Sequence, residues 1–127
     1  MSDEYTVQVD CEFIARHRLG PDGNEQPLHE HRWRVAVCAA SQQLDRIAIV
    51  VDFRKLRQQT DDLMARLAGR TLEETEELVA RGAAPLEVAH WFLDQLRDTN
   101  AGENYRITTV TVGCDPRIDF TVGEPAD

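Results

Sequence analysis

The segment "PLHEHRWRVAVC", residues 27 to 38, carries two histidines one residue apart, His29 and His31. Side chains alternate between the faces of an extended chain, so both imidazoles point the same way. The alternation continues through Trp33, Val35, Val37 and Ala39, which marks that side as the core face. Glu30, Arg32, Arg34, Ala36 and Cys38 take the other side. Two imidazoles at the mouth of a core face ask for a metal or for buried hydrogen-bond partners. Upstream, "YTVQVDCEFIA" places Tyr5, Val7, Val9, Cys11, Phe13 and Ala15 on one face, and His17 continues it. Neutral imidazole is a common zinc ligand, and three histidines with one open position describe a catalytic rather than a closed structural site. Such a site polarises a carbonyl or acidifies a bound vicinal diol. The fourth histidine, His90, falls within a helical pattern and reads as a surface or boundary residue.

The elements that must hold these groups follow from periodicity. Between the two alternating strands, "LGPDGNEQPL" has two glycines and two prolines and reads as a loop. The histidine strand runs to about Ala40, and the apolar run "IAIVVDF" after "SQQLDR" suits the returning arm of a hairpin. Asp52 is placed to cap a helix whose Phe53, Leu56, Thr60, Leu63, Met64 and Leu67 recur at helical spacing, with Gly69 as its stop. "TLEETEELVARG" has Thr71 and Glu74 at capping-box spacing and predicts a short, mostly solvated helix. A further helix starts near Pro85, with Leu86, Ala89, Phe92, Leu93 and Leu96 as its apolar stripe. "YRITTVTVGC" and "IDFTV", separated by "DPR", close the chain as strands. The order ββααββ predicts an α+β fold: a four-stranded antiparallel sheet with two main helices packed on one face.

Bulk properties narrow the function classes. A chain of 127 residues reads as one domain, 1–127, long enough for a real core. The net charge of −9 argues against a general nucleic-acid surface and against attraction to anionic lipid. The three cysteines, Cys11, Cys38 and Cys114, are widely spaced and lack a Cys-x-x-Cys pair, which suits a reducing compartment better than a disulfide framework. With no apolar run after "MSDEYTV" and none of bilayer-spanning length, the expectation is a cytoplasmic protein without membrane partners.

"FIARHRL" (Phe13 to Leu19), followed by "HEHRW" and then "VVDF", resembles the 6-pyruvoyl- and 6-carboxy-tetrahydropterin synthase family. That family has a Phe-x-Ala-x-His element, a later His-Gly-His-Asn-Tyr-like element and an Asp-Phe pair opening the first helix. The resemblance in element order covers roughly residues 5 to 122, with motif identity concentrated in the first half. It implies the T-fold, in which neighbouring subunits close barrels and trimers stack into hexamers. It also implies Zn2+ held by His17, His29 and His31, and a pterin-like small-molecule ligand whose side chain is reworked without redox cofactors.

The departures from the family pattern are specific. Its proton-abstracting cysteine, at the spacing of the carboxy-tetrahydropterin enzymes, is replaced by Glu25. A carboxylate beside a zinc-bound diol could act as general base, and a related branch uses a glutamate one residue nearer the histidines. The family's Asp-His pair falls on Ala68 and Gly69, neither of which carries a proton. The glutamate that anchors the pterin aligns with Cys114, with Asp115 next to it on the opposite strand face. Glu30 stands where the family has glycine between its histidines, and Glu87 keeps only part of the start of its last helix. Two functions follow: a zinc enzyme that reshapes or cleaves a dihydropterin-like side chain with Glu25 moving the proton, or a catalytically degenerate T-fold module that binds and oligomerises without turnover. A cupin-like reading would need a glutamate shortly after the His-x-His pair, where Arg34, Val35 and Ala36 stand.

Overall fold

The computed structural model describes residues 4–19, 24–41 and 52–124. Strands β1 (Tyr5–Leu19) and β2 (Glu25–Ser41) are followed by helix α1 (Phe53–Ala65), a single 3-10 turn (Leu72–Glu74), helix α2 (Pro85–Thr99) and strands β3 (Arg106–Asp115) and β4 (Ile118–Gly123). The four strands form one antiparallel sheet in the order β1-β2-β3-β4.

The alternation read from the sequence is the one that folds. In β1, Val9, Cys11, Phe13, Ala15 and His17 are buried, and in β2 so are Trp33, Val35, Val37 and Ala39. Phe13 lies opposite Trp33 with their rings stacked at 6.0 Å, and Phe92 of α2 closes on Phe13 at 6.2 Å. Such aromatic contacts add to area burial and join the sheet to the helix layer. The Asp52 carboxylate caps α1, accepting from the backbone N–H groups of Arg54 and Lys55.

Three local expectations are corrected. β2 begins at Glu25 rather than after Leu28, so the second half of the Gly/Pro-rich stretch is strand. Its Pro27 is tolerated because the register breaks between His17 and Leu19, where a ladder donor is not required. The acidic stretch is not a helix with a capping box: it makes one 3-10 turn, and Thr71 provides no side-chain cap. Instead Leu72, Thr75 and Leu78 are buried. This segment is recruited to the outer edge of β1, where Gly69 donates to Ile14 O and Arg16 donates to Arg70 O. Tertiary hydrogen bonds outweigh the local helix signals. In α2, Leu86 is 42% exposed and the buried stripe runs through Val88, Ala89, Trp91, Phe92, Leu93 and Leu96. The "IAIVV" part of the proposed hairpin arm lies outside the described residues.

Candidate metal centre

The register of β1 and β2 places His17 directly opposite His29, and Ala15 opposite His31. The three rings therefore gather at one end of the sheet. Their centroids are 4.5 Å apart for His17–His29, 4.5 Å for His29–His31 and 5.2 Å for His17–His31. Trp33 forms the floor, 4.9 Å from the His17 ring, and its indole N–H is tied to Ala15 O at 3.3 Å.

His17 is fully buried. Its Nδ1 lies 3.1 Å from the carbonyl oxygen of Ala83, so it donates there and the ring is held in the Nε2-unprotonated tautomer. Nε2 has no hydrogen-bond partner although it too is buried. An unpaired buried acceptor costs about 1–3 kcal/mol, which makes it a group in want of a ligand. His29 makes the corresponding contact locally, Nδ1 to Pro27 O at 2.8 Å. Burial lowers the pKa of both His17 and His31, with the neighbouring rings adding to the effect. The neutral imidazole form, which ligates metals, is thereby favoured.

Two groups join this cluster from elements that the sequence reading left apart from it. A nitrogen of His17, a nitrogen of His31 and the Cys114 sulfur all lie within 4.8 Å of one another, making this the one metal-type donor group of three among the described residues. His29 approaches both other rings but is not in that tightest group. Glu73, from the 3-10 turn, accepts the Arg18 backbone N–H at 2.6 Å, and its charge reaches His17. The inward parity of Cys114 was available from the alternation of β3. The approach of Glu73 and Ala83 had no sequence signal, because it depends on how the segment between the helices returns to β1.

Glu25 is exposed at the first residue of β2, paired with Leu19 rather than with a histidine. Ala68 and Gly69 are exposed, and His90 is exposed on α2 as expected. The concavity of about 760 Å³ does not coincide with the histidines. It is lined chiefly by Gln8, Asp10, Glu12, Arg34 and Asp119 from the sheet, with Arg57 from α1. The histidine end is the more informative place chemically, because buried donors converge there on an unpaired nitrogen.

A family model described as 6-pyruvoyl tetrahydropterin synthase matches residues 6–123. No curated protein sequence matches the chain. Among solved structures, the chain is similar to 6-pyruvoyl tetrahydropterin synthase of Caenorhabditis elegans, with a TM-score of 0.80, 17% identity and 98% of each chain covered. An uncharacterized protein of Wolinella succinogenes aligns with a TM-score of 0.74 and 18% identity, over 98% of this chain and 100% of that one. A Plasmodium vivax 6-pyruvoyltetrahydropterin synthase, described as a catalytic-residue mutant with a glutamate changed to cysteine, aligns with a TM-score of 0.69 and 15% identity, over 94% of this chain and 97% of that one. At these identities the structural likeness establishes the T-fold.

Proposed function

The chain belongs to the 6-pyruvoyl tetrahydropterin synthase family, and on that premise we propose that it is a divergent zinc-dependent, pterin synthase-like lyase acting on the side chain of a dihydropterin or a related heterocycle. The observation that carries this reading is the buried Nε2 of His17, left without a partner beside His29 and His31. This donor set fits zinc, which takes neutral imidazole nitrogens. His17, His29 and His31 would hold the ion, and zinc there would supply Lewis acidity toward a carbonyl or a vicinal diol.

The chain's own residues set the conditions. The Ala83 and Pro27 carbonyls fix the tautomers of His17 and His29. Trp33 seals the site from the core side. Glu25, exposed at the start of β2, is the proposed proton acceptor. In support, the Plasmodium vivax relative has a glutamate described as catalytic. The proposed assembly is a hexamer made of two trimers. β1 and β4 are the two outer strands of the described sheet. Apart from the stretch of β1 at Ile14 and Arg16 already bonded to Gly69 and Arg70, their edges offer backbone groups for pairing between subunits.

Metal content of protein purified without chelator, compared with His29→Ala, tests the site. About one zinc per chain, lost in the variant, is the expected result; no metal in either would remove the reading. The second reading is a T-fold module without turnover. Ala68 and Gly69 at the places of the family's proton-relay pair favour it. Turnover of dihydropterin substrates, tested on the wild type and on Glu25→Gln, separates the two.

A further inference from the structure

The alternation of β3 brings a sulfur donor to the histidine end of the sheet. Arg34 of β2 pairs with Gly113 of β3, and Val35 with Val112. Val35 and Val112 are both buried, so the next residue inward on β3 is Cys114, on the face that carries Trp33 and His31. Cys114 is buried, and its sulfur lies within 4.8 Å of ligand nitrogens of both His17 and His31. Nitrogen and sulfur donors around one tetrahedral zinc stand about 3.3–3.6 Å apart. Small side-chain rotations therefore bring these atoms onto a common ion.

The strand end that carries Cys114 is held firmly. The Arg34 guanidinium donates to Asp115 O at 3.0 Å and pairs with Asp119 at 2.6 Å. The second, independent observation is the fully buried His17, whose Nε2 is unpartnered and one of whose ring nitrogens lies within 4.8 Å of the sulfur.

We propose that Cys114 Sγ is a ligand of the same metal ion as His17 and His31, so that the centre has a mixed nitrogen and sulfur donor set. This deepens the reading of the histidines as a metal site and rests on it. With His29 also bound, the chain fills four positions, and a substrate oxygen must then add as a fifth donor or displace one of them. A thiolate donor also steers the site toward thiophilic divalent ions such as zinc and away from magnesium or calcium. Binding releases the thiol proton, so uptake of the metal is coupled to release of at least one proton per chain.

Cobalt(II) loading of the full chain, with absorption read in the near ultraviolet and visible, tests the assignment. The expected result is one cobalt per chain with a sulfur-to-cobalt charge-transfer band. The band is lost in Cys114→Ser and kept in Cys38→Ser, and zinc affinity of Cys114→Ser falls about tenfold or more. Stoichiometric cobalt without that band in the wild type overturns the Cys114 assignment and leaves the histidine site standing. Failure to bind cobalt or zinc at all overturns both. A band that persists in Cys114→Ser assigns the sulfur elsewhere and also overturns the proposal. If Cys114→Ser does not fold, alkylation of the wild type decides instead. Zinc is then expected to slow labelling of Cys114, mapped by peptide mass, and an unchanged rate counts against ligation.

Discussion

His17 Nδ1 and the Ala83 carbonyl oxygen are 3.1 Å apart across sixty-six positions of sequence, joining the sheet to the residue pair that precedes α2. This bond has two consequences. It fixes which nitrogen of His17 faces the cluster, and it anchors the chain just before Pro85. His17→Ala is expected to lose bound metal and to unfold at lower urea, by about 1–3 kcal/mol, because the unpaired Ala83 carbonyl and the cavity left by the fully buried ring together outweigh the relief of the unpartnered Nε2. Urea titration of the metal-free wild type and variant isolates the structural part. Equal stability in the two would show that water or another donor replaces the imidazole at no cost.

Two carboxylates compete for the proton-transfer role. Glu25 lies at the solvent end of β2, whereas Glu73 is partly buried, close enough for its charge to act on His17. If Glu25 moves the proton, Glu25→Gln lowers kcat about a hundredfold or more with little change in KM. Glu73→Gln, whose amide oxygen can still accept from the Arg18 backbone N–H, would then leave kcat nearly unchanged. Steady-state turnover of dihydropterin substrates by both variants reads this directly, and a large kcat loss confined to Glu73→Gln would transfer the role to Glu73.

The histidine cluster was legible because strand alternation is rigid: once Trp33 and Phe13 are inward, His31 and His17 must follow. The sheet, both main helices and the Asp52 cap were legible for the same reason, since period and cap chemistry are local. The segment between the helices was not. Its Thr71–Glu74 spacing suggests a capping box, yet Leu72 and Leu78 go into the core and Gly69 and Arg70 pair with β1. Non-local burial of two leucines outweighs a cap of about 1 kcal/mol. That same displacement brings Glu73 and Ala83 to His17.

Asp52→Ala tests whether α1 depends on its cap. The carboxylate accepts from Arg54 and Lys55 N–H groups at 3.0 and 3.3 Å, and α1 has no acidic residue in its first turn to replace it. The expected loss is about 1 kcal/mol, read as a lower urea midpoint with an unchanged m-value. Asp52→Asn should recover most of it.

Cys11 is expected to contribute a loss of stability in alkali. Burial, then the Asp61 charge, pushes its thiol from 9.0 to about 11. A group raised in the folded state contributes stability that is complete below the unfolded value and is lost as pH rises through the folded one. For Cys11 the window runs from about pH 9 to 11, and the shift corresponds to roughly 2–3 kcal/mol. Urea midpoints across this range should fall less steeply in Cys11→Ala, with Cys114 and Tyr105, also raised by burial, accounting for part of what remains. Identical slopes would show that Cys11 ionises without opening the core.

Gly113 is required by the side chains that cross it. A Cβ there would collide with the Arg34 guanidinium and the Asp119 carboxylate, and would stand 2.9 Å from Ile118 O. Side chains could swing away at the loss of their ion pair, but the backbone oxygen belongs to Ile118, the first residue of β4, which is paired with Asp115, and cannot. Gly113→Ala should therefore destabilise the protein by about 1–3 kcal/mol. Because Arg34 also holds the Asp115 carbonyl, the variant should shift Cys114 and weaken zinc binding as well. Arg34→Ala/Gly113→Ala separates these effects. It relieves the side-chain clash but leaves the backbone contact and the free end of β3, so folding should recover in part while metal affinity stays low. Full recovery of both would place the whole defect in the guanidinium clash.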